Sequence, residues 1–222
     1  MKIFIDTLDL KLIEKYHNMG ILAGVTTNPT MQKKFKFDND LDMVLALREV
    51  IGEDEIHIEA FGKTAVEILK NSDRLLSTGK NLVFKIPFSE AGVYAVHRLN
   101  RMGYKTNMHL VYSLSQAIIS SVVGATYICA LAGRLDDIGQ RSMETIAQMI
   151  GLGPKIMVSS VRHPQHVITA KLIGADAVTI PPDVLELMFD HPLTERGINT
   201  FEKDIEYIRG IKNANKDKNF IK

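Results

Sequence analysis

Asn81-Leu82-Val83-Phe84-Lys85-Ile86-Pro87 is an apolar run broken by a single lysine. Its length and its β-branched and aromatic content fit a buried strand. Desolvating an ammonium costs free energy, so a lysine in such a strand needs a reason to be there. Burial lowers a lysine pKa and leaves a neutral amine, which attacks carbonyl carbons and forms Schiff bases. The blander alternatives are a lysine that snorkels from a strand end and one that pairs with a carboxylate.

Similar runs recur on both sides of this one. Strands are expected near 2–6, 23–27, 56–60, 81–86, 105–110, 126–130, 155–160 and 175–180. Between them, apolar residues fall three or four apart, as Val93, Val96, Leu99 and Met102 do. That spacing predicts helices near 8–19, 41–50, 64–77, 91–101, 115–124, 142–150, 163–173 and 182–189. Eight strands, each followed by a helix, read as an α/β fold, a single-domain (β/α)8 TIM barrel spanning 1–222. A doubly wound open sheet is the structural alternative. The segment 201–216 is one helix more than a minimal barrel needs. It is expected to cover a neighbouring barrel or a partner subunit.

Composition narrows the function classes. The 222 residues carry a net charge of +1, so no bulk field draws the chain to nucleic acid or to an anionic membrane. Cys129 is the sole cysteine, which leaves no internal disulfide framework. An acid at position 6 comes too early for a signal peptide, and no uncharged apolar stretch reaches membrane-spanning length. A cytoplasmic protein is expected.

In a parallel barrel the reactive rim lies at the C-terminal ends of the strands. There the sequence places Asp6, Thr27-Asn28, Glu59, Lys85, Asn107 with His109, Arg134, and Ser160 with Arg162. Each has a plainer reading. Asp6 and Asn28 can cap the helices that follow them. Glu59 can face outward by alternation, and His109 can be a hydrogen-bonded core histidine. Arg134 and Arg162 can pair with acids on surface turns. His163, His166 and His191 have no convincing ligand spacing, so no metal is expected. What favours chemistry is that the polar groups gather at one end. Ser160-Val161-Arg162 lies between a strand and a helix late in the barrel, where phosphate sites commonly form, and arginine presents a planar fork to a phosphate monoester. With the lysine, these groups point to a phosphorylated sugar that carries a carbonyl.

Phe4-Ile5-Asp6-Thr7, Gly24-Val25-Thr26-Thr27-Asn28-Pro29, Val83-Phe84-Lys85-Ile86-Pro87, Gly133-Arg134-Leu135-Asp136-Asp137 and His191-Pro192-Leu193-Thr194 together resemble segments of the small transaldolase family, which includes the fructose-6-phosphate aldolases. The resemblance runs from position 2 to about 204. It implies a cofactor-free class I aldolase barrel in which Lys85 forms the Schiff base and Asp6 shuttles protons. Glu59 would stand where transaldolases hold a catalytic water, a position that tends to be glutamine in the aldolase branch. Thr27, Asn28 and Asn107 would lie against substrate, and Arg134, Ser160 and Arg162 would take its phosphate. A dihydroxyacetone unit would pass between sugar phosphates of the pentose phosphate pathway. The resemblance also implies a homo-oligomer, pentamer or decamer, with an exchanged C-terminal helix.

Three departures from the family pattern stand out. His109 replaces a threonine, Leu131 a phenylalanine or tyrosine, and Cys129-Ala130 a small residue followed by proline. An aldolase that releases free dihydroxyacetone, a shifted substrate and a sugar-phosphate binding protein are the other readings.

Overall fold

The computed structural model describes residues 1–79 and 81–219, with side chains through residue 210. The chain divides into two compact units, Met1–Leu185 and Glu186–Lys222. The first is a closed barrel of eight parallel strands in sequence order.

Its elements run β1 (Lys2–Asp6), α1 (Leu10–Asn18), β2 (Gly24–Thr26), α2 (Pro29–Phe35), α3 (Asp40–Ile51), β3 (Glu55–Glu59), α4 (Ala65–Asp73), β4 (Leu82–Pro87), α5 (Glu90–Arg101), β5 (Lys105–Val111), α6 (Leu114–Val122), β6 (Tyr127–Leu131), α7 (Ala132–Asp136), α8 (Ser142–Ala147), β7 (Lys155–Ser159), α9 (Pro164–Leu172), β8 (Ala177–Ile180) and α10 (Pro182–Leu187). The expected strands are all present, shifted by two residues at most. Local chemistry sets the helix starts. Asp9, Asn28, Asn39, Thr64, Ser89 and Ser113 each accept a hydrogen bond from a main-chain N–H in the first turn that follows.

Besides α2, a helix that the apolar spacing did not predict, two details depart from the sequence reading. The helix expected over 64–77 stops at Asp73, and a short 3₁₀ turn covers Leu76–Thr78. The stretch 133–137, read as a turn, is mostly the one-turn helix α7.

Alternation along each strand builds two cores. Outward residues such as Ile56, Ile58, Phe84, Ile86, Ile128 and Val178 join the helices in the larger core. Inward residues Phe4, Val83, Tyr127, Cys129, Met157 and Ala177 form a smaller plug inside the barrel. Above this plug the inward positions turn polar. The register sets Glu59 beside Lys85 and Lys85 beside Asn107 on successive strands. Gly24 is required for closure, because a Cβ there would lie 1.9 Å from the Glu55 carbonyl oxygen.

The second unit holds α11 (Pro192–Asn219), longer at both ends than the expected 201–216 helix. Ile198, Phe201, Ile205 and Ile208 recur on it at steps of three and four and are exposed.

Candidate active site

A cavity of about 440 Å³ opens at the C-terminal ends of the strands. Asp6, Asn28, Glu59, Lys85, His109, Arg134 and Ser160, named from sequence, all line it. So do Thr26, Cys129, Leu131, Ser159 and Thr179. A hollow of similar size, about 450 Å³, lies among Leu76, Ser77, Tyr104 and Lys105. The Lys105 ammonium there binds Glu55 and Asn81, and none of the residues named from the sequence as site candidates lines that hollow.

Lys85 is 4% exposed. Its Nζ donates to the Thr27 carbonyl oxygen over 2.6 Å and lies 3.4 Å from Glu59 Oε2. The lysine is therefore buried, as its strand implied, but it has a carboxylate partner. Glu59 is a nearby group able to exchange a proton with the amine.

Glu59 also holds His109. Its Oε1 lies 3.0 Å from His109 Nδ1. Burial pushes the Glu59 carboxyl upward, but the His109 hydrogen bond and the Lys85 charge outweigh it, and the net shift is downward. Burial and Lys85 push the imidazole down, against the pull of Glu59. A carboxylate beside a neutral histidine results, with Nδ1–H donating to Glu59. His109 reaches this place through an irregularity in β5, where the pairing with β6 shifts between Met108 and Val111 and Leu110 adopts φ of +56°.

Asp6 stands in contrast. Burial raises its pKa, more than the Lys85 charge and the Thr26 hydroxyl lower it. Thr26 Oγ1 donates to Asp6 Oδ1 over 2.7 Å and is 2.5 Å from Thr179 Oγ1. A carboxyl whose affinity for protons is raised beside a lysine suits proton transfer near neutral pH. Two carboxylates that both feel the Lys85 charge are thus shifted in opposite directions.

Three sequence-named residues sit elsewhere. The Thr27 side chain donates to the His57 carbonyl oxygen, and its main chain serves Lys85. Asn107 is fully buried and does not line the cavity; its Nδ2 meets His57 Nδ1. Arg162 donates to Asp137 Oδ2 over 2.8 Å, the pairing that its neighbouring turn allowed. Arg134 lines the cavity, with Nη1 3.3 Å from the Tyr112 hydroxyl. Ser160 at φ +54° and the close passage of Gly133 past its carbonyl oxygen shape the wall beside Arg134.

Sequence reasoning gave no role to Thr26, Thr179, Tyr112, Glu55 or His57. The first two stand at strand ends, where the rule that found Asp6 also points to them. Glu55 and His57 carried only one signal, their place four and two residues before Glu59 on the same strand face.

The chain matches the family model described as Transaldolase/Fructose-6-phosphate aldolase over residues 3–220. A probable transaldolase from Methanococcus maripaludis is 37% identical over 214 residues, covering 93% of this chain and 98% of that protein. A probable transaldolase from Nitrosopumilus maritimus is 39% identical over 216 residues, covering 94% and 96%. One from Geobacter sulfurreducens is also 39% identical over 216 residues, covering 94% and 99%.

Proposed function

Since the chain belongs to the transaldolase/fructose-6-phosphate aldolase family, we propose that it is a Schiff-base transaldolase that moves a dihydroxyacetone unit between sugar phosphates. The reading rests above all on one observation: a buried lysine amine lies at the floor of a polar cavity, 3.4 Å from a carboxylate.

Lys85 gives a proton to Glu59, and its Nζ adds to the ketone carbon of a ketose phosphate. The carbinolamine loses water, with Glu59 and His109 managing the protons, and an iminium forms. Asp6 takes the proton from the hydroxyl on the far carbon of the carbon–carbon bond to be cut. That carbon–carbon bond breaks, an aldose phosphate leaves, and the electron pair enters the iminium to give an enamine. The enamine adds to the carbonyl carbon of a second aldehyde phosphate, Asp6 returns its proton to the new hydroxyl, and water releases the product from Lys85. Asn28 holds a donor hydroxyl, and Arg134 and Ser160 take the phosphate. The iminium serves as the electron sink.

The donor and acceptor pair we propose is sedoheptulose 7-phosphate with glyceraldehyde 3-phosphate, giving erythrose 4-phosphate and fructose 6-phosphate, as in the pentose phosphate pathway. Glu59 in place of glutamine and Leu131 in place of a phenol favour transfer over release of free dihydroxyacetone. We propose further that the protein works in the cytoplasm as a homo-oligomer joined through the apolar stripe of α11. In keeping with this, Cys129 is a free thiol, and no helix among the described residues is long and apolar enough to cross a membrane.

Borohydride reduction in the presence of fructose 6-phosphate, read by peptide mass spectrometry, tests the core of the reading. A three-carbon or six-carbon adduct on Lys85 is expected. An adduct on another lysine, or none with any ketose phosphate, refutes it.

A further inference from the structure

Below the lysine, the inner face of β3 carries a second set of polar groups. Glu55 stands at the bottom of the barrel, where it accepts from Lys105 Nζ over 2.9 Å and from the Tyr127 hydroxyl over 2.8 Å. Its Oε2 lies 3.6 Å from Nε2 of His57, a fully buried ring packed edge-on against Phe4 and Tyr127. On the other side of that ring, Nδ1 is 3.0 Å from Asn107 Nδ2.

An amide NH2 can only donate. Nδ1 of His57 therefore carries the lone pair, and the ring proton sits on Nε2, which makes no hydrogen bond among the described residues but faces the Glu55 carboxylate across 3.6 Å. Burial holds the His57 pKa down to about 4, against the pull of Glu55, so the ring stays neutral near pH 7. The Asn107 NH2 group also lies 3.6 Å from Met157 Sδ, a weak acceptor. Both amide hydrogens are thus directed to His57 and Met157. Asn107 Oδ1 is left buried with no partner among the described residues. A buried acceptor without a donor is costly, so its persistence asks for an explanation. Asn107 is the register neighbour of Lys85, buried just behind the residues that line the cavity.

We propose that Glu55 and His57 are positioning residues for the proposed reaction: Glu55 fixes the His57 tautomer, and His57 fixes the Asn107 amide with its oxygen, not its NH2, free to accept from a hydroxyl of the sugar held on Lys85. This rests on the Schiff-base reading. It adds that the site discriminates for a hydroxyl donor beside the iminium and against a group that can only accept.

The test compares His57→Phe, which keeps the ring packing and removes the acceptor, with His57→Gln, whose side-chain oxygen can accept from Asn107. Folding is followed by circular dichroism, and the rate of borohydride-trapped Lys85 adduct with fructose 6-phosphate by mass spectrometry. The phenylalanine variant is expected to trap at least roughly tenfold more slowly, the loss that a misplaced polar contact brings, and the glutamine variant to recover most of the rate. If His57→Phe does not fold, His57→Met takes its place in the comparison. In an Asn107→Ala background the same change at His57 is expected to cost nothing more. Full-rate trapping in the apolar variant overturns the proposal, as does equal loss in the apolar and glutamine variants or an additive loss in the Asn107→Ala background. These failures are distinct from failure of the Schiff-base reading, in which the unaltered protein itself traps no ketose.

Discussion

Glu59 joins His109 and Lys85 through its two carboxylate oxygens, 3.0 Å from the imidazole Nδ1 and 3.4 Å from the amine. The group beside the reactive lysine is therefore a titratable pair. With Nδ1–H held by the carboxylate, the second ring nitrogen is the end that can exchange a proton with substrate. The imidazole pKa lies below its ordinary 6.5, so the ring is neutral at pH 7. The acid limb of kcat/KM should fall below pH 6.5, where His109 protonates. His109→Thr should keep measurable turnover and lose that limb. An unchanged profile in the variant would show that His109 carries no proton in the reaction.

Asp6 and Lys85 should separate kinetically. Asp6→Asn keeps an oxygen for the Thr26 hydroxyl but cannot take the proton that carbon–carbon cleavage releases. Turnover should drop by about a thousandfold, within the usual range for a lost general base, while the ketose adduct on Lys85 still forms and is trapped. Loss of the adduct in parallel with turnover would place Asp6 in imine formation instead.

Gly133 carries a prediction about phosphate. An added Cβ would lie 2.3 Å from the Ser160 carbonyl oxygen and 2.6 Å from Arg162 Nε. Main chain must shift, and the Ser160 wall shifts with it. Gly133→Ala should raise KM for a phosphorylated ketose roughly tenfold and leave that for free dihydroxyacetone unchanged. A rise for both would mean a general loss of structure.

The polar bottom of the barrel sets the response to acid. His57 holds its proton only below about pH 4 when folded but near 6.5 when unfolded. The unfolded chain therefore binds the extra proton between these values, and stability falls as pH falls through that window, by on the order of 3 kcal/mol. Glu55 acts in the same sense at lower pH. Burial raises its pKa, but the His57, Lys105 and Tyr127 hydrogen bonds lower it further, and that stabilisation goes as the carboxylate protonates. Urea midpoints at pH 7 and pH 5 should differ clearly, and His57→Gln should narrow the gap. An equal gap in the variant would assign the acid sensitivity to other groups.

Leu131 bears on the balance between transfer and release. It lines the cavity where a phenol would mark the aldolase branch. Leu131→Tyr should increase the free dihydroxyacetone released from fructose 6-phosphate when no acceptor aldehyde is present. A product ratio that does not move would make this position irrelevant to partition.

By itself the sequence determined the barrel and the lysine. Short apolar runs, helical spacing and capping residues are local properties, legible without knowing which strands meet. The strand-end rule likewise placed Asp6, Glu59, Lys85 and His109 at one rim. Only the tertiary structure decided how these groups are used. It paired Arg162 with Asp137, sank Asn107 beneath the cavity floor, and gave Lys85 a carboxylate partner where the sequence suggested an amine neutral by burial alone. It also brought Glu55 and His57 under Asn107, fifty residues away along the chain. These relations depend on the stagger of a closed sheet, which fixes the height at which side chains from separate strands meet, and no local pattern encodes that height.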